Sequence, residues 1–196
     1  MKIAFIGTHG VGKTTLCYDL AACLKKRDVT VELVREVARE CPLPINRDTT
    51  LTAQSWILHT QIAWELAAAA KSEVVVCDRA ALDNFCYMKR AGGSGDREKV
   101  LEALVASWTP TYDFLFKVSI VGKPRFDGVR DTDLRFQHDI DEMIDATLES
   151  WGVSCVPLDP EARDAWLGVV LTSVLPVLRR QKLLFPDAGE PRLAAT

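Results

Sequence analysis

The sequence predicts an α/β fold, a five-stranded parallel sheet with helices on both faces, forming a single domain over residues 1–182. Three observations carry that expectation. Short apolar runs alternate with helical stretches, the order that a parallel sheet covered on both faces requires. Gly7-Thr8-His9-Gly10-Val11-Gly12-Lys13-Thr14 spells G-x-x-x-x-G-K-T between the first run and the first helical stretch, the setting in which such a loop cradles phosphate. The third run closes on Asp78, which puts a carboxylate at the same edge of the sheet as that loop.

The strand runs are 2–6, 30–34, 73–77, 113–120 and 153–158. From Thr14, Leu16, Leu20 and Leu24 repeat at helical spacing. Residues 48–70 form the longest helical pattern, with Leu51, Leu58, Ile62, Leu66 and Ala69 placed on its apolar face; Pro42 and Pro44 keep its approach extended. A shorter helix spans about 80–90. Gly92-Gly93-Ser94-Gly95 breaks the chain, and a further helix runs to about Trp108. Phe136, Ile140, Ile144, Leu148 and Trp151 mark a helix over 133–151 that needs a core partner. Asp159-Pro160-Glu161 reads as a helix start, with a capping acid followed by proline in the first turn. Pro176 is expected to kink or end that last helix, and 183–196 to be a loosely ordered tail.

Composition narrows the function classes. With 196 residues, 48% of them hydrophobic, there is room for a full core. A net charge of −3 with no basic stripe argues against nucleic acid, and no apolar stretch is long enough to span a bilayer. The chain enters a strand at once, so no signal peptide is expected. The cysteines at 17, 23, 41, 77, 86 and 155 contain no C-x-x-C pair. They read as reduced residues of a cytoplasmic protein, with Cys77 and Cys155 in the core. The expected partner is a small molecule, with a homodimer left open.

The phosphate loop nominates Gly7, His9, Gly10, Val11, Gly12, Lys13, Thr14 and Thr15 as nucleotide contacts. Glycines let successive N–H groups converge on phosphate oxygens, and the helix start adds its own. Lys13 is expected to face solvent in the empty site and to reach the β- and γ-phosphates of ATP or GTP. Thr14 and Asp78 are the expected Mg²⁺ ligands. After the second strand comes Arg35-Glu36-Val37-Ala38-Arg39. Glu36 is the candidate proton acceptor, and Arg35 and Arg39 are candidate holders of an anionic acceptor. Arg79 joins the substrate set, and Asp83 is a reserve base. Gln61, on the long helix with Gln54, Trp56 and Trp64, is placed to bond a base or amide edge. Arg125, Arg130 and Arg135 lie in a segment, about 122–135, expected to form a lid that brings positive charge to a transferring phosphoryl group. Arg130 is the first choice among them. His59 and His138 read as structural or exposed. No Asn-Lys-x-Asp sequence of the switch GTPases is present.

Taken together, Gly7–Thr15, Arg35-Glu36-x-x-Arg39, Asp78-Arg79-x-x-x-Asp83 and Asp127-Gly128-x-Arg130 resemble the AAA-like P-loop kinases related to the ribosylnicotinamide kinase domain of NadR, over roughly residues 1–165. Gly12 through Thr15, Arg35-Glu36 and Asp78-Arg79 through Asn84 and Tyr87 also resemble thymidylate kinase, although 37–41 lack its Pro-Gly-Gly. Deoxynucleoside kinases share the general plan: an acid after the second strand, a helix glutamine that reads the base, and an acid-Arg pair. The resemblance implies a P-loop NTPase fold of nucleoside monophosphate kinase type, with the lid above and an adenine-side loop near Asp159–Arg163. It also implies ATP- and Mg²⁺-dependent phosphoryl transfer to a nucleoside- or nucleotide-like acceptor. The alternative is a nucleotide-dependent regulatory ATPase that signals by lid closure.

Overall fold

The computed structural model describes residues 1–45, 48–92, 95–122 and 133–184, with 182–184 as backbone only. Five strands form one parallel sheet: β1 (Lys2–Ile6), β2 (Val31–Val34), β3 (Val74–Asp78), β4 (Phe114–Val118) and β5 (Val156–Leu158). Their order is β2-β3-β1-β4-β5. The helices are α1 (Lys13–Lys25), α2 (Leu51–Ala69), α3 (Ala81–Arg90), α4 (Asp96–Trp108), α5 (Leu134–Ser150) and α6 (Trp166–Leu184). Each expected strand run yields a strand; the last two are each trimmed by three residues, and in the last three residues pair with β4.

β1 lies in the centre, with Ile3 in register with Val76 on one side and Phe114 on the other. A strand flanked on both edges and covered on both faces must be apolar throughout, which is why its run is unbroken. Alternate residues then serve two cores. Ile3, Phe5, Val76, Phe116 and Val118 pack under α1 and α6, against Leu16, Leu20, Val170 and Val174. Ala4, Ile6, Val75, Cys77 and Leu115 pack under α2, α3 and α5, against Leu58, Leu82, Phe85, Ile140 and Ile144. With all strands parallel, the loops that leave β1, β2, β3 and β4 open at one edge, and that edge carries the site.

One sequence expectation is corrected and one is narrowed: of the kink or end expected at Pro176, the end is excluded. The buried face of α2 is not the one with Leu66 and Ala69. Leu66 is 58% exposed, Ala69 is exposed as well, and the buried residues are Ala53, Gln54, Ile57, Leu58, Gln61, Glu65 and Ala68. Polar side chains with partners inside the fold turned the helix away from its apolar periodicity. Pro176 does not end α6, which continues to Leu184. Val170, Val174 and Leu178 are all buried on the first core, so packing on both sides of the proline carries the helix across its missing N–H. The terminal tail beyond 184 lies outside the described residues. Among the described residues, no helix is long and apolar enough to cross a membrane.

Phe116 is fully buried, with its ring stacked 5.6 Å from Phe5 and 5.9 Å from Phe114. Phe116→Ala is therefore expected to cost about 3–5 kcal/mol, read as a lower urea midpoint with an unchanged m-value.

Candidate functional site

The loop between β1 and α1 is shaped by its glycines. Gly7 has φ +139°, and a Cβ there would lie 2.5 Å from the Val118 carbonyl oxygen. Gly12 is the N-cap of α1 with φ +104° and offers no capping side chain, and the first turn of α1 holds no acid. The opening N–H groups of the helix therefore face a site that favours an anion. A Cβ on Gly12 would sit 2.9 Å from Arg163 Nη2, so Arg163 lies over the loop. Thr15 is exposed beside it.

Lys13 does not face solvent as expected. It is 5% exposed and folds back so that Nζ donates to the carbonyls of Gly7 and Thr8 at 2.8 and 2.5 Å. The loop carbonyls that cannot bond to one another need a donor, and the lysine supplies it. Burial, reinforced by the Arg79 charge, lowers its pKa from 10.5 to about 8.

Across the loop, the Thr14 hydroxyl donates to Asp78 Oδ2 at 2.5 Å. Burial raises the Asp78 pKa against the pull of Lys13. A hydroxyl and one carboxylate are hard oxygen donors in contact, the donor set of a Mg²⁺ that keeps waters and takes its remaining ligands from phosphate. No group of three or more His, Cys, Asp or Glu side chains offers a closed metal cage among the described residues.

Next to this lies a charged pair. Arg79, directly after β3, is 5% exposed and has φ +94°, a left-handed conformation that is rare for a side chain of its size. Its Nε and Nη2 each reach Glu36 Oε1 at 2.8 Å, and Arg39 Nε donates to Glu36 Oε2 at 2.9 Å. Burial alone would raise the Glu36 pKa; the charges of Arg79 and Lys13 and the hydrogen bonds from both arginines outweigh it and hold the carboxyl at about 2. The Tyr87 ring lies 4.8 Å from the Arg79 guanidinium. Glu36 and Arg79 line two adjoining hollows. One is the phosphate loop itself, with Lys13, Thr14 and Asp78. The other continues past Arg39 to Gln54, Ile57, Asn84 and Tyr87.

The remaining candidates divide. Asp83 is fully buried; Oδ1 accepts the Gly7 N–H at 2.9 Å and Oδ2 the Ala80 N–H at 2.8 Å. It ties the phosphate loop to the start of α3, with both oxygens of the reserve base engaged by main chain. Gln61 is also fully buried, donating to Glu65 Oε1 and to the Arg79 carbonyl. Gln54, seven residues earlier and so on the same helix face, is the glutamine that reaches the second hollow. Arg35 points elsewhere, 65% exposed and paired with Glu40 at 3.8 Å. His9 packs 5.4 Å from the Phe136 ring, with Nδ1 3.3 Å from the Tyr87 hydroxyl. Arg135 is exposed in the first turn of α5, and Arg125 and Arg130 lie outside the described residues. Sequence reading missed Gln137, a buried α5 residue whose Nε2 donates to the His9 carbonyl at 2.9 Å. Its place beside Phe136 was the available signal. The six cysteines are free. Cys77 is buried in the second core, whereas Cys155 is only half-buried. Burial raises the thiols of Cys17, Cys77 and Cys86, which makes them poor nucleophiles.

A fall from 10.5 to about 8 means that burying charged Lys13 costs about 3 kcal/mol. Below pH 8 the lysine is protonated folded and unfolded, and the full cost applies. Between pH 8 and 10.5 the folded protein releases the proton while the unfolded chain keeps it, so the cost fades. Relative to Lys13→Met, wild type is therefore expected to gain about 2–3 kcal/mol of stability between pH 7 and pH 10, on top of the pH-independent cost to the variant of unpaired Gly7 and Thr8 carbonyls. Paired urea titrations of both proteins at pH 7 and pH 10 check this.

No curated protein sequence matches the chain significantly. Among solved structures, it is similar to a deoxyadenosine kinase from M. mycoides with the products dCMP and a flexible dCDP bound. That likeness has a TM-score of 0.62 at 16% identity and covers 90% of this chain and 100% of that one. At that identity the likeness bears on the fold alone, an α/β fold built on a parallel sheet. Residues 2–164 match the model of the AAA domain family, and with most of its length inside that match the chain belongs to the AAA domain family.

Proposed function

We propose that the protein transfers a phosphoryl group from ATP to a hydroxyl of a nucleoside-like small molecule, with Mg²⁺. One observation carries this reading: the Glu36–Arg79 pair lines both the phosphate-loop hollow and the hollow behind it. A carboxylate and a guanidinium between a phosphate cradle and a second pocket are what transfer to an acceptor needs, and water as sole acceptor needs no second pocket. The structural neighbour named a deoxyadenosine kinase supports the same acceptor class.

In this mechanism the loop amides and Lys13 hold the β- and γ-phosphates, and Arg163 closes over the nucleotide side. Lys13 would turn from the Gly7 and Thr8 carbonyls to phosphate oxygen, and the polyanion would raise its lowered pKa. Thr14 and Asp78 would hold Mg²⁺, which would supply positive charge to offset the negative charge developing on the phosphates. Glu36, ionised at every working pH, accepts the hydrogen bond of the attacking hydroxyl and aims its oxygen. In a loose transition state the proton leaves late, so a weak base suffices. Arg79 lies close enough to offset charge on the moving group. Gln54 takes the part of the helix glutamine that reads the acceptor's polar edge, with Arg39 at the mouth. Arg125 and Arg130 are retained only as sequence-based lid candidates.

The test is an acceptor screen scored by ADP release, with nucleosides, nucleoside monophosphates and ribosylnicotinamide. Little ATP should be lost until the right acceptor is added. Hydrolysis at full rate with none present would instead identify a regulatory ATPase. Lys13→Ala and Asp78→Asn are each expected to lower turnover at least about a hundredfold with the fold retained by circular dichroism. Unchanged turnover in either would remove that residue from the mechanism.

A further inference from the structure

Arg79 needs help to stay where it is. Its φ of +94° is strained for an arginine, and such a conformation persists only where surrounding groups over-determine it. Its N–H donates to the Phe5 carbonyl at 3.2 Å. Its carbonyl accepts from Gln61 Nε2 at 3.3 Å. Two residues on, the Ala81 N–H donates to the Tyr112 hydroxyl at 2.9 Å. Gln61 and Tyr112 come from different elements, yet both donate to Glu65 Oε1, at 2.8 and 2.7 Å. The other oxygen, Oε2, accepts from Lys2 Nζ at 2.8 Å and Trp108 Nε1 at 2.7 Å. Glu65 is 1% exposed, and its carboxylate has four donors for four lone-pair directions. The Lys2 ammonium also lies 4.2 Å and 4.4 Å from the centres of the Trp108 and Tyr112 rings. A fully bonded buried carboxylate is a rigid anchor, and this one sits far from the phosphate loop in the chain.

We infer that Glu65, through Gln61 and Tyr112, is the positioning centre that fixes the Arg79–Ala81 turn and thereby aims the Arg79 guanidinium at Glu36. None of the three touches the phosphate-loop hollow; they act through the main chain of the turn. The kinetic consequence rests on the proposed phosphoryl transfer, whereas the effect on Arg79 itself does not.

The test uses the full chain with Gln61→Met, which keeps side-chain length and removes the hydrogen bond, and with Tyr112→Phe, the milder change. Two measurements are made on each. The first is the ¹⁵Nε–H resonance of Arg79, which is expected to exchange slowly in wild type because it is buried and ion-paired, and to broaden or exchange rapidly in both variants. The second is kcat with the acceptor found by the screen, expected to fall about tenfold to a hundredfold while ATP affinity by calorimetry changes less than about threefold. Because the network acts only through Arg79, Gln61→Met should add almost nothing in an Arg79→Ala background. Losses that multiply in the double variant, or a wild-type-like Arg79 resonance in both single variants, overturn the proposal. Should no acceptor be found, the resonance still decides it: loss of the slow Nε–H supports the positioning network while the kinase reading fails by itself. If Gln61→Met does not fold, Tyr112→Phe alone carries the same decision.

Discussion

The site depends on one buried carboxylate whose two oxygens both bond main-chain N–H groups. Asp83 receives the Gly7 N–H on one oxygen and the Ala80 N–H on the other. Those two N–H groups belong to two segments that carry charge into the site: the loop with Lys13 and Thr14, and the strand end with Asp78 and Arg79. Parallel pairing of β1 and β3 brings the segments to one edge, but strand pairing stops at the sheet. Beyond it, a charge-assisted bridge to main-chain N–H groups is what holds their spacing. Burial raises the Asp83 pKa, while Arg79, Lys13 and the two N–H groups pull it back toward the ionised form. The bridge and the cations around it are thus mutually dependent.

That arrangement stores cost. Lys13, Arg79, Asp78, Glu36 and Asp83 are brought together in little water, and each is shifted by burial before any partner compensates. Buried charges in contact are rarely a source of net stability. Here Lys13, Asp78 and Asp83 are left in deficit, the lysine's pKa lowered and the two carboxyls' raised, while the Glu36 carboxyl is driven down. A polyanion with a divalent cation would satisfy the lysine and the acid Asp78 together. The free energy withheld from folding is available for gripping phosphate.

How far the sequence could be read follows from which forces it displays. The strand–loop–helix at the N-terminus, the strand ending at Asp78 and the five-strand order of events are written in apolar periodicity and in glycines with defined backbone demands. Glu36, Arg39 and Arg79 converge as expected because their positions follow from strand ends. The same logic failed for Arg35, one residue before Glu36, since neighbours at a strand end point apart. It failed on α2 because Gln54, Gln61 and Glu65 look like a solvated stripe, and only tertiary partners such as Lys2, Trp108 and Tyr112 reveal that stripe as buried. It failed for the orientation of Lys13 because a motif specifies the lysine but not what it bonds in the absence of phosphate. Pro176 follows the same rule: packing of Val174 and Leu178 overrides a local helix breaker.

The Glu36–Arg79 contact sets how an acceptor must enter. In the present geometry both Glu36 oxygens are engaged, one by Arg79 and one by Arg39. Oε1 takes two donors from Arg79 and is filled, whereas Oε2 takes one from Arg39 and keeps a lone pair for a hydroxyl. Arg79 is 6% exposed at its side chain and its main chain is held on both sides, whereas Arg39 is 34% exposed and stands at the mouth. Displacing Arg39 exposes a charge to water that already reaches it; displacing Arg79 would strand a buried cation, at several times the cost. In the proposed transfer the acceptor hydroxyl would therefore bond Glu36 Oε2, beside Arg39 or in its place, while Arg79 stays on Oε1. That division would keep the guanidinium beside the moving phosphoryl group.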